Sequence, residues 1–122
     1  MGFMGTETFR IAAVISMRDN GWDAHWASLA AIVLYPLDDQ PAVSRPFEKM
    51  IRKASRRAAK LLRRKSQVES EVTIAAVLLS YLELAEAAQE AYYIQRFGQF
   101  VRQLGELPSS RTGEPLIVVV PE

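Results

Sequence analysis

The chain has 122 residues, 49% of them hydrophobic and 24% charged, and no cysteine. These values exclude global disorder, a disulfide framework, a Cys-ligated metal centre and a thiol nucleophile. Fifteen basic and fourteen acidic residues leave a formal net charge of +1, yet ten of the fifteen basic residues lie between Arg45 and Lys65 with Glu48 as the one acid among them.

That stretch carries about +9, against −3 for residues 1–44 and −5 for residues 66–122. Segregation on this scale points toward a polyanionic partner. The length suits a single domain, 1–122, around one hydrophobic core. The longest apolar stretch, Val72 to Leu82, is interrupted by Thr73 and Ser80 and is far short of the ~20 residues of a membrane span. Glu7 precedes Phe9, and Arg10 and Arg18 bracket the first apolar run, unlike a signal peptide. A cytoplasmic location is expected. Met1-Gly2-Phe3-Met4-Gly5-Thr6 matches the short N-myristoylation pattern, which beside a polybasic patch would make a two-signal anchor. The bulky Phe3 speaks against it, and the membrane is not an expected partner.

In chain order, Phe9, Ile11, Ala13, Ile15 and Met17 alternate like a strand, and Asn20-Gly21 is a hairpin-turn signal. A strand or a short helix is therefore expected at 8–17. Trp22, Trp26, Leu29 and Val33 recur at helical spacing and residues 24–31 are rich in Ala, which predicts a helix over about 21–34. Pro36 to Pro41 reads as a loop.

The basic segment opens with Ser44 as N-cap and Pro46 in the first turn. Phe47, Ile51, Ala54, Ala58 and Leu61 fall on one helical face, and Lys49, Arg52, Lys53, Arg56, Lys60 and Arg63 cluster opposite. This predicts a strongly amphipathic helix from about 45 to 65. Ser66-Gln67-Val68-Glu69 is a capping-box pattern that restarts a helix. With no Pro between residues 47 and 107, and Gly98 the first glycine there, one long helix is expected over 67–104, weakened or kinked at Gly98. Val72 to Leu79 is apolar nearly all round, which suggests burial on more than one side. Leu116 to Val120, bounded by Pro115 and Pro121, reads as a strand that needs residues 9–17 or another subunit as partner.

The fold class that follows is mainly α: a small helical bundle built on a long antiparallel hairpin (about 45–65 and 67–104), with minor β-structure from 8–17 and 116–120. A helix of nearly forty residues would span ~57 Å. Either it breaks near Gly98 or part of it packs against another subunit, and the apolar run 72–79 and the tail 116–120 favour a homo-oligomer assembled through the long helix and the C-terminal strand.

The basic helix carries the functional expectation. Multiple Lys and Arg contacts to phosphates release condensed counterions, and six of the ten basic residues are Arg, which suits bidentate phosphate contact. The expected partner is nucleic acid of unspecified type, held at the backbone by Lys49, Arg52, Lys53, Arg56, Arg57, Lys60, Arg63 and Arg64, with little sequence specificity. No aromatic lies on that face, so base stacking would have to come from elsewhere. The hairpin register sets Lys49 opposite Glu83 and Arg45 near Glu86 or Glu90. Lys53, Arg57 and Lys60 lie opposite the apolar run 72–79, so most of the cluster is left without carboxylates unless the five acids of the first segment reach it. The alternative is a protein–protein module, an adaptor, inhibitor or assembly subunit, whose basic face is solvated or selects partners.

Other features have blander readings. His25 is the sole histidine, and Asp23 at i−2 does not face it on a helix, so a partly buried structural role is expected. Trp22 and Trp26 read as core or interface anchors, as do Tyr92, Tyr93, Phe97 and Phe100. The six glycines form no phosphate-cradling loop. No enzyme, metal or cofactor is expected.

Overall fold

Five helices carry the described residues, 5–39 and 43–117, of a computed structural model. They are α1 (Thr6–Asp19), α2 (Ala24–Leu34), α3 (Arg45–Leu62), α4 (Gln67–Ala87) and α5 (Ala91–Glu106). The centre is α2, as its composition demands. Trp26, Ala27 and every residue from Leu29 to Val33 are buried, the pattern of a helix apolar all round. It packs on α1, α3 and α4, and α4 packs in turn on α3 and α5. A single core cluster joins Leu29 and Val33 to Phe47, Ile51, Ile74, Leu78, Tyr81 and Phe97. Within it the Tyr81 hydroxyl donates to the Val33 carbonyl at 2.8 Å, and burial pushes the phenol's pKa up.

The bundle is mainly helical, and the expected β-structure and long hairpin are corrected. Residues 8–17 lie inside α1. The Asn20-Gly21 pair that signals a hairpin is instead the end of that helix. Gly21 has φ 91°, its N–H donates to the Arg18 carbonyl, and the Trp22 N–H donates to that of Met17, both at 3.0 Å. This is a Schellman C-cap, and a type I′ turn and such a cap both call for the left-handed backbone that glycine supplies. The apolar alternation misleads because α1 leaves Phe9, Ile11 and Ile15 exposed and buries Arg10. At the other end, residues 116–117 are not in a strand, and an isolated antiparallel bridge joins Pro108 and Pro115. Residues 118–120 of the expected strand lie outside the described residues.

The expected helix over 67–104 is two helices, broken at Gln89 rather than Gly98. Gln89 has φ 57°, with its N–H on the Glu86 carbonyl at 3.1 Å and the Glu90 N–H on that of Ala85 at 3.0 Å. This is again a Schellman cap, now without glycine, so no composition signal announces it. A side chain at that φ costs roughly 1–2 kcal/mol. Gln89→Gly is expected to stabilise the fold by about 1 kcal/mol, read as a melting temperature higher by roughly 3 °C. An unchanged or lower value would contradict the break.

Polar side chains fasten the helices together. Asp38, in the loop after α2, accepts from the Tyr92 hydroxyl at 2.7 Å and pairs with Arg10 and, at 3.4 Å, with Arg96. Arg10 Nε also donates to the Tyr35 carbonyl at 2.6 Å. Glu71 on α4 is 1% exposed and accepts from the Ser110 N–H at 3.1 Å and the Gln67 amide at 3.2 Å. The C-terminal loop is thereby tied to α4.

Candidate nucleic-acid interface

Helix α3 forms where its caps place it. Ser44 has the extended backbone of an N-cap, its N–H donates to Glu90 at 3.0 Å, and Pro46 sits in the first turn. Phe47 and Ile51 are fully buried, with Ala58 and Leu62 beside them. Leu61, read as part of that seam, is 52% exposed, and Leu62 is buried in its place as the helix ends there instead of at 65. The buried seam fixes the rotation of the helix, and the cations face water. Lys49, Arg52, Lys53, Arg56, Arg57 and Lys60 are all exposed along α3, and Arg63 and Arg64 are exposed in the turn that follows. From Lys49 to Lys60 the helix lays these charges along ~17 Å.

Among the described residues no acid outside α3 forms an ion pair with its cations, and several of the neighbouring acids are engaged elsewhere. Among the described residues the one ion pair on this segment is Arg52 with Glu48, at 2.9 Å within the helix itself. Glu90 reaches the Ser44 N–H, and the expected pairing of Lys49 with Glu83 is not formed among the ion pairs of the described residues. In the first segment Glu7 pairs with Arg10 and Asp38 with Arg10 and Arg96. Asp23 caps α2 by accepting from the His25 N–H at 2.9 Å, and Asp39 accepts from Thr6 at 3.2 Å.

His25 itself is exposed, not partly buried as expected. Its link to Asp23 runs through the backbone N–H, so the pair is a helix cap.

Charge spacing adds a second point. Arg45 and Lys49, Lys49 and Lys53, Arg52 and Arg56, Lys53 and Arg57, and Arg56 and Lys60 are all like-charge pairs at i, i+4 within α3. Each such pair destabilises a helix by roughly 0.2–0.5 kcal/mol. A face shaped for solubility alone gains by mixing signs. This one does not mix them.

The turn into α4 is the most unusual backbone of the segment. Arg63 has φ −62° and ψ 124°, Arg64 has φ 65°, and the Lys65 N–H donates to the Leu62 carbonyl at 3.3 Å. This is a type II turn whose third residue calls for glycine or asparagine. Ser66 then caps α4 in the expected capping box, accepting from the Glu69 N–H while Glu69 accepts from the Ser66 N–H at 2.9 Å. That second bond holds the Glu69 carboxyl below its ordinary range.

Beside this turn lies a cleft of about 710 Å³ between α1, α2 and α3. Met17, Trp22, Leu34, Tyr35 and Leu62 line it together with Arg63, Arg64 and Lys65. Trp26 is 2% exposed and belongs to the core, as do Tyr93 and Phe97, whereas Trp22 is half-buried and Tyr35 37% exposed. Nothing local in the sequence joins Trp22 or Tyr35 to the basic turn, since about thirty or more residues separate them; the packing of α1 and α3 on α2 does.

Comparison of the chain with protein-family models, with curated proteins and with solved structures finds no match.

Proposed function

We propose that the protein is a non-enzymatic nucleic-acid-binding accessory protein that holds the phosphate backbone on the outer face of α3. The observation that carries this reading is the row of eight exposed cations with one intrahelical ion pair among them. Phosphate contact without base-edge contact positions a strand and carries no sequence information. Oligonucleotides of scrambled sequence are therefore expected to bind with affinities within about threefold of one another, measured by fluorescence anisotropy at low salt. A preference well beyond tenfold for one sequence, or no binding at all, would overturn it.

A second surface supports the homo-oligomer reading. On α4, Val68 is 42% exposed, Val72 65% and Leu79 39%, and they share one helical face with the exposed Ala76. The expectation that the run 72–79 is buried on more than one side is thus only half met within the chain, with Ile74, Ala75 and Leu78 inside. Contiguous exposed apolar side chains of this kind suit an interface between copies. Val72→Asp is expected to lower the solution mass to that of one chain without unfolding it, checked by light scattering and a thermal melt. A wild-type protein already monomeric at high concentration would refute the assembly.

A further inference from the structure

Resting on the phosphate-binding reading of α3, we infer that the cleft beside the α3–α4 turn seats an unpaired nucleobase against Trp22 and Tyr35, so that the protein selects single-stranded over duplex nucleic acid. Two observations converge there. The cleft is lined by aromatic and apolar side chains together with three consecutive cations, Arg63, Arg64 and Lys65. That pairing of a stacking surface with adjacent positive charge is how single strands are held without sequence preference. In a duplex the bases are stacked on one another and leave no free face for Trp22. Only a strand with splayed bases fills the cleft while its phosphates follow α3.

The second observation is the backbone at Arg64, which holds φ 65° where glycine would relieve it. Backbone strain of this sort clusters at ligand clamps and other functional sites, and unlike Gln89 at its helix end, Arg64 lines a cleft. Here it keeps a guanidinium at the mouth of the cleft rather than a bare turn.

Wild-type protein titrated with oligothymidylate at low salt is expected to show quenching of Trp22 emission, while a matched duplex leaves the emission unmoved and binds more weakly. Buried Trp26, 2% exposed, supplies a constant background. Trp22→Leu and Tyr35→Leu keep an apolar side chain and remove the aromatic face, the second together with the stack of Tyr35 on Phe9 at 5.6 Å, so a thermal melt of each accompanies the titration. Each is expected to lower single-strand affinity about tenfold with duplex affinity unchanged, and Trp22→Leu abolishes the quenching. Arg64→Gly is expected to raise the melting temperature and lower single-strand affinity together. If single strand and duplex bind equally, with unmoved emission and equal loss in salt, the cleft assignment fails while the phosphate reading of α3 stands. If neither binds at low salt, both fail. Emission that responds to decanoate and not to oligothymidylate would assign the cleft to an anionic amphiphile and overturn the inference.

Discussion

Replacing Arg52, Arg56, Lys60 and Arg63 together by alanine is expected to lower nucleic-acid affinity at least about a hundredfold near 0.1 M salt, while leaving the protein folded and slightly more stable. The size follows from counterion release. At that salt each neutralised phosphate contributes roughly five- to tenfold in affinity, so four full contacts would be worth about 600-fold or more, and a hundredfold is the least expected. The direction of the stability change follows from α3 itself. The four substitutions remove the like-charge pairs Arg52–Arg56 and Arg56–Lys60 and introduce the strongest helix former. They also remove the Glu48–Arg52 ion pair, which at an exposed site is worth little. The net gain is about 0.5 kcal/mol. A variant that binds undiminished, with an unchanged melt, would show the basic row to be a solvated face. A variant that binds less because it has unfolded is recognised by its circular dichroism.

The second large effect lies away from the basic helix. Arg10→Ala is expected to destabilise the fold by about 3 kcal/mol, or roughly 10 °C in melting temperature. Arg10 is 6% exposed and bridges the Tyr35 carbonyl, at 2.6 Å, to Asp38. Its loss leaves a carbonyl without its donor and a half-buried carboxylate held by Arg96 and Tyr92 alone. Arg10→Lys restores part of this, because one ammonium does not reproduce the guanidinium fork.

The same network sets the response to acid. Burial alone would raise the Asp38 pKa, but the Tyr92 hydroxyl and the Arg10 and Arg96 guanidiniums outweigh it and hold the carboxyl below its ordinary range. A carboxyl whose pKa is lower folded than unfolded stabilises the fold above the unfolded value of about 4, and that contribution is lost as pH falls through the folded value. Stability is therefore expected to drop below about pH 4 in the wild-type protein. The drop should be smaller in Asp38→Asn, whose overall stability is lower throughout. A wild-type melting temperature that stays flat from pH 5 to pH 2 would contradict the assignment.

The parts of the fold that depend on local chemistry were legible in the chain. Ser44, Pro46 and the seam of Phe47, Ile51 and Ala58 mark α3, and Ser66 with Glu69 marks the start of α4. The parts that were not legible share a cause. Asn20-Gly21 satisfies a hairpin turn and a helix cap equally well, and only the packing of α1 on α2 chooses between them. Gln89 breaks a helix in a conformation that glycine usually marks, so the interruption leaves no trace in composition. Arg10 counts as one more charge in the sequence, and its burial against Asp38 belongs to tertiary structure.

The candidate site divides the same way. The cations of α3 were visible as a helical face, since charge and period are local properties. The lining of the cleft was not, because Trp22 and Tyr35 reach the basic turn only through the packing of α1, α2 and α3.

Phosphate contact by α3 is tested most directly by the salt dependence of binding. The affinity of the wild-type protein for oligothymidylate, measured from about 50 to 300 mM salt, is expected to fall linearly on logarithmic axes with a slope near −3 or steeper, corresponding to four or more phosphates. The slope should shrink by roughly 1.4 when Arg56 and Arg63 are both alanine. Affinity that is flat in salt, or a slope indifferent to those two residues, would contradict the account.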